Sequence, residues 1–255
     1  MMFTRTALAF ALSLAALPAW AQSQPKAVVE LFTSQGCASC PPADALVAEL
    51  AKDPNLIVLT MPVDYWDYIG WKDTLALHGH SLRQKAYAEK RADHKVFTPQ
   101  AVVDGVHAVK GSDRAALQRA ILAGPGTAGS LKVPIKAHRR GEVMEIEIPE
   151  SAAPPEGAEV WVCPVASEKS VTISRGENSG RNVTYSNVVR GWVRLGQWNG
   201  TKQRHELKLS DIKGEAVDQV AVLLQAGTAA APGPILGATI VAVQETPPAS
   251  PPAAK

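Results

Sequence analysis

The stretch VVELFTSQGCASCPPADALVAEL, Val28 to Leu50, compresses a strand, two cysteines and a helix into one unit. Val28 to Thr33 is a short apolar run with β-branched residues at both ends, the pattern of a buried strand. Past the cysteines, Ala43, Leu46, Val47, Leu50 and Ala51 recur at helical spacing, with Asp44, Glu49 and Lys52 off that stripe. Pro41 and Pro42 suit a first helical turn, where a missing N–H leaves nothing unpaired. Asp53-Pro54-Asn55 stops the helix, and Leu56 to Val63 is a second buried strand. Strand, crossover helix and strand predict a parallel pair. Cys37 and Cys40 fall where the first strand gives way to the helix. Their spacing suits a redox dithiol, half of a zinc site or a structural link, and the motif alone leaves all three open.

Asp64 to Asp73, DYWDYIGWKD, sets two Tyr and two Trp among acids. Ser81-x-x-Gln84 has the form of a capping box and predicts a helix from about Leu82 to Asp93. Its apolar stripe is weak, so that helix is expected to be largely exposed. Val96 to Val103 reads as a strand containing Thr98-Pro99, Asp104-Gly105 as a hairpin turn, and Val106 to Val109 as the returning strand. Gly111-Ser112-Asp113 offers a helix N-cap, with Leu117, Ala120 and Ile121 as the packing face behind it. This order of elements resembles the thioredoxin fold from roughly Lys26 to Ala123. In that fold a cis-proline packs against the cysteine pair, and Thr98-Pro99 stands at the matching place.

Gly124 to Gly129, GPGTAG, reads as a linker. Beyond it the period changes to two: Leu131, Val133, Ile135 and Ala137 alternate with polar residues, as do Met144, Ile146 and Ile148. Further strands are expected at 159–165, 171–175, 187–198, 205–209, 218–224 and 235–243. Many short strands without a convincing helix predict an antiparallel sandwich or barrel. The expected organisation is therefore an α/β thioredoxin-like domain over 26–124 and an all-β, sandwich-like domain over 130–244. Cys163 is expected to lie buried in the second as a small apolar residue.

Arg5, the apolar run Ala7 to Leu17 and Ala19-x-Ala21 predict a signal peptide over 1–21, with the mature chain starting at Gln22. The run is shorter than the roughly 20 residues a bilayer span needs. The expected location is periplasmic or secreted, where disulfides persist. The Pro-rich end, Thr246 to Lys255, is expected to be a disordered tail. Net charge is +2 at pH 7, and +1 once Arg5 is removed, which gives no electrostatic case for nucleic acid or an anionic membrane. A chain of 255 residues can bury proper cores, so three cysteines, two of them neighbours, suggest chemistry more than scaffolding. No Ser-His-Asp signature, phosphate-binding glycine loop or paired catalytic acid is present, and no cofactor is implied. His78 and His80 offer a Cys/His metal site as an alternative, although a structural zinc site usually takes four ligands and no second Cys pair exists.

At closer range VVELFTSQGCASCPPAD, VDYWDYIGWKD, TPQAVVDG and GENSGRNVTYSNVVR resemble the bacterial family called domain of unknown function 1223. The resemblance spans Val28 to Arg190 and implies an exported, thioredoxin-like protein without naming a substrate. The expected chemistry is disulfide exchange with protein thiols or disulfides. Cys37 would attack, Cys40 would resolve from inside the first helical turn, and Thr98 and Pro99 would line the substrate site. A non-catalytic binding module, with the disulfide as a clip, is the other class left open. Arg181 and Asn182, in the polar GENSGRNVTYSNVVR segment, are candidates for binding a ligand or closing the domain interface.

Overall fold

The computed structural model describes residues 24–243 apart from 125, 213 and 215, so the expected signal peptide and tail lie outside the described residues. Strand β1 (Ala27–Thr33) is buried along its whole length. Both of its faces are covered, which is why it reads as a continuous apolar run rather than an alternating one. It pairs in parallel with β2 (Leu56–Pro62), from Ala27 opposite Leu56 to Thr33 opposite Pro62. On its other side lies β3 (Gln100–Val103), antiparallel, which turns into β4 (His107–Lys110). The turn residues Asp104 and Gly105 both have positive φ. A Cβ on Gly105 would lie 2.5 Å from the Gly233 carbonyl oxygen, so only glycine fits there.

Helices α1 (Pro41–Leu50) and α3 (Arg114–Ala123) cover one face of these strands. Leu46 and Val47 of α1 and Leu117 and Ala120 of α3 bury against Val29, Leu31, Val58 and Val103. Of the expected Gly111-Ser112-Asp113 stretch it is Asp113 that caps α3, its carboxylate accepting from Ala116 N at 2.9 Å. Helix α2 (His78–Lys90) covers the opposite face and departs from expectation twice. It starts at His78 rather than about Leu82, because the Ser81 hydroxyl donates to Asp64 Oδ1 instead of capping. It is also not largely exposed: His80, Arg83, Gln84, Ala86, Tyr87 and Ala88 are all buried.

The second half supplies β5 (Lys136–Arg140), β6 (Val143–Ile148), β7 (Ala158–Thr172), β8 (Asn182–Val189), β9 (Val193–Trp198), β10 (Gln203–Lys208), β11 (Gln219–Thr228) and β12 (Ala231–Ala242). The expected strand at 187–198 is split in two by Arg190-Gly191-Trp192, and of the one at 171–175 only Val171 and Thr172 are strand, the end of the long β7. β10, β6 and β5 form a three-stranded antiparallel sheet. Its Met144, Ile146 and Ile148 pack with Val160, Val162, Val222 and Leu224 of the larger sheet.

That larger sheet has nine strands, in the order β12-β11-β7-β8-β2-β1-β3-β4, with β9 also paired to β7. It runs through both halves. β8 lies parallel to β2 with Thr60 opposite Val188, and the Thr60 hydroxyl donates to the Ser186 carbonyl at 2.6 Å. The sequence suggests two units meeting near 124–130, and this continuity corrects that picture. The physical reason is a shared core. Val28, Phe32, Leu59 and Met61 bury in one cluster with Cys163, Val165, Leu223 and Ile235. The linker segment is itself tied down, with Ser130 buried and its hydroxyl donating to the Gly124 carbonyl at 2.6 Å. The protein is thus a mixed α/β structure of 12 strands in two sheets and three helices among the described residues.

Candidate functional site

β1 ends at Thr33 and the chain turns twice before α1. Cys37 N donates to the Ser34 carbonyl and Cys40 N to the Cys37 carbonyl, each at 3.1 Å. The Cys40 carbonyl accepts from Ala43 N and Asp44 N, which makes Cys40 the N-cap of α1. Cys40 therefore caps the helix, and Cys37 lies in the turn outside it. Pro41 and Pro42 occupy the first helical positions and remove two N–H groups that would have no partner. Cys37 and Cys40 are joined as a disulfide, with Cα atoms 5.4 Å apart.

The Thr98–Pro99 peptide is cis, as expected. Ser39 links it to the cysteines: its hydroxyl donates to the Thr98 carbonyl at 3.4 Å and lies 3.5 Å from Cys37 Sγ. Pro99 faces the start of α1, since a Cβ on Gly111 would meet Leu31, Pro99 and Ala43 together. The aromatic stretch forms the neighbouring wall. Trp66 Nε1 donates to the Thr98 hydroxyl and Trp71 Nε1 to Gln35 Oε1, both at 2.8 Å. Gln35 N donates to Asp73 Oδ2 at 2.8 Å, so this wall is bonded directly to the cysteine loop.

Neither sulfur-bearing residue is open to solvent: Cys37 is 1% exposed and Cys40 0%, while Ala38 and Ser39 between them are exposed. The sequence assigned Cys37 the attacking role and gave no warning of this burial. The loop between β7 and β8 contributes Asn178, whose Nδ2 donates to the carbonyls of Gln35 and Cys37, each at 2.9 Å. Asn178 belongs to the GENSGRNVTYSNVVR segment. Arg181 and Asn182, singled out there from the sequence, are exposed instead. The one available signal was an Asn inside a Gly-bounded loop, GENSG, where a short amide can reach backbone groups.

Two buried acids lie behind the loop. Burial pushes the Asp44 carboxyl up to about 7, against the hydrogen bond from the Thr33 hydroxyl and helped by Asp73. Burial likewise raises Asp73 to about 6, against backbone N–H bonds from Gln35, Leu75 and Ala76. An Asp44 that keeps its proton does not oppose negative charge at the mouth of α1. That mouth is where the helix dipole favours a thiolate.

The other sequence candidates lie apart. His78 is bonded to Asp64 at 2.8 Å. His80 is buried against the Pro62 carbonyl, and burial holds its pKa down to about 4. Among the described residues, no group of three or more His, Cys, Asp or Glu is placed to hold a metal ion. Cys163 is a free thiol, buried as expected, and burial pushes its pKa far up.

The chain belongs to the family described as Protein of unknown function (DUF1223), which matches residues 28–225. A crystal structure of a structural-genomics target from Agrobacterium tumefaciens is 34% identical, covering 89% of this chain and 98% of its own, with a TM-score of 0.78. HBP35 of Porphyromonas gingivalis shares 13% identity over 90% of this chain and 81% of its own, with a TM-score of 0.56, a likeness of fold alone. No curated protein matches the chain.

Proposed function

We propose that this protein is an exported thiol–disulfide oxidoreductase, built on a thioredoxin-like first half, that exchanges disulfides with protein partners through Cys37 and Cys40. The observation that carries the reading is the placement of the disulfide at the N-terminus of α1, with the Thr98 carbonyl bonded to Ser39 between the two cysteines. A disulfide serving only as a staple has no need of a helix mouth. A thiolate leaving group does. With the pair closed, a partner thiolate attacks Cys37 Sγ. The Cys37–Cys40 bond breaks, a mixed disulfide forms on Cys37, and Cys40 leaves as a thiolate stabilised at the helix N-terminus. A second partner thiol attacks the partner sulfur of the mixed disulfide, Cys37 leaves, and the partner departs as a disulfide. Two electrons have then passed from partner to pair. In reverse, Cys37 attacks a partner disulfide and Cys40 resolves the intermediate.

The burial of both cysteines favours a second reading, in which the disulfide is a permanent clip in a binding module. Trapping in the periplasm separates the two. Cys40→Ser should accumulate mixed disulfides that reductant releases on gels, and Cys37→Ser should accumulate none. If neither variant captures a partner, and the wild-type pair stays oxidised in mild reductant, the clip reading stands and exchange is ruled out.

A further inference from the structure

The loop joining β7 to β8, residues 173–181, is exposed at most positions, yet Asn178 within it is 2% exposed. The loop is braced internally. Ile173 N donates to the Arg181 carbonyl at 2.9 Å, Gly180 N to the Ile173 carbonyl at 2.8 Å, and the Ser179 hydroxyl to the Ser174 carbonyl at 3.0 Å. At Gly176, φ is +76°, and an added Cβ would lie 3.3 Å from Trp71 Cβ, so the loop rests on the aromatic wall of the site. Its side-chain hold on the cysteine loop is the Asn178 amide, which reaches 141 residues back along the chain to the Cys37 carbonyl and also takes the Gln35 carbonyl. Both NH2 hydrogens are thereby used. The Asn178 Oδ1 is buried with no partner, so the amide is held from one side only.

We infer that loop 173–181 is a latch over the disulfide and that Asn178 is the positioning residue that keeps it shut. Reaction at Cys37 then requires this loop, rather than the whole fold, to open. The inference rests on the exchange reading for its biological meaning. The latch itself is a matter of access to one S–S bond, and a small reductant can read it without any partner.

The experiment follows reduction of the mature protein by dithiothreitol, using alkylation and mass measurement. One thiolate of the reductant opens the S–S bond. Its second thiol then displaces the protein sulfur and closes the cyclic disulfide, so two electrons enter the pair. Asn178→Asp keeps the shape but loses both donors and sets a carboxylate against two carbonyls, while Asn178→Ala removes the amide altogether. Each should be reduced at least ~10-fold faster than wild type, because two hydrogen bonds that hold the closed state are gone. The equilibrium position against a dithiothreitol redox couple should stay unchanged. Arg181→Ala, exposed on the same loop, should behave as wild type. Unchanged rates in both Asn178 variants would overturn the latch. So would equal acceleration by Leu46→Ala, which loosens the core under α1 while leaving the Asn178 bonds in place and would show that access comes by global unfolding. Should either Asn178 variant fail to fold, hydrogen exchange on the wild type decides. The Ile173 and Gly180 amides should be at least ~100-fold less protected than those of β1, since local opening needs less free energy than global unfolding. Equal protection would overturn the inference.

Discussion

Helices α1 and α2 cover opposite faces of the same strands by different means. α1 docks through alkyl groups: Ala43, Leu46 and Val47 are buried against Val29, Leu31 and Val58. α2 docks through polar atoms. Arg83 Nε donates to Glu30 Oε1 at 2.7 Å, and Arg83 also donates to the Tyr87 hydroxyl at 2.7 Å. Tyr87 in turn donates to Glu30 Oε2 at 2.6 Å and accepts from Gln225 on β11 at 2.7 Å. The Arg83 guanidinium also lies over the Trp192 ring, 4.6 Å from its centre. A non-directional contact tolerates imperfect replacement. A satisfied buried ion pair does not, because losing one member leaves the other's charge desolvated.

The largest expected effect follows from that difference. Arg83→Met leaves Glu30 fully buried without its cation and should destabilise the protein by about 3–5 kcal/mol. Urea unfolding checks it, and a loss below about 1.5 kcal/mol would remove the distinction between the two helices. On α1, Leu46→Ala should cost about 3 kcal/mol, while Leu46→Met, which conserves volume, should cost under about 1.5 kcal/mol. If Leu46→Met were as damaging as Arg83→Met, the alkyl contact would be no more tolerant than the ionic one.

The smallest effect concerns the exception on α1, its buried Asp44. Burial raises its pKa from the model-peptide value of 3.8 to about 7 in the folded chain. Between those values the folded state holds a proton that the unfolded state has lost, so this group's contribution to stability falls as pH rises. Wild type should lose about 1.4 kcal/mol relative to Asp44→Asn on going from about pH 5 to about pH 6. Parallel pH profiles for the two proteins would show that Asp44 is ionised in the fold.

The same contrast explains what was legible in the sequence. α1, β1 and β2 announced themselves because alkyl residues fell at the period of the element they form. The helix α2 was signalled by its capping pattern, but its buried face was not, since the residues it buries, among them His80, Arg83 and Gln84, count as polar in any periodicity. Their burial is possible because the Pro62 carbonyl, Glu30, the Phe97 carbonyl and Gln100, all outside the helix, complete their bonds. The candidate site divides the same way. Cys37, Cys40, Thr98 and Pro99 were visible through spacing and order. Asp73 and Asn178 act on Gln35 and Cys37 from 38 and 141 residues away, and no local pattern carries that information. The continuous sheet was hidden for a related reason: β2 and β8 meet at a single register pair, and a parallel neighbour leaves no hairpin turn between them.

That meeting of β2 and β8 limits how the chain can be divided. A fragment stopping in GPGTAG would keep the cysteine loop and all three helices. It would lose the β7, β8, β11 and β12 side chains that bury Val28, Phe32, Leu59 and Met61. It would carry an unpaired β2 edge beside a wide apolar flank, the kind of surface that recruits other chains. Asn178 would be absent as well. The piece that looks like a minimal redox module on paper is therefore the piece least suited to being made alone, and expression work should keep both halves in one polypeptide.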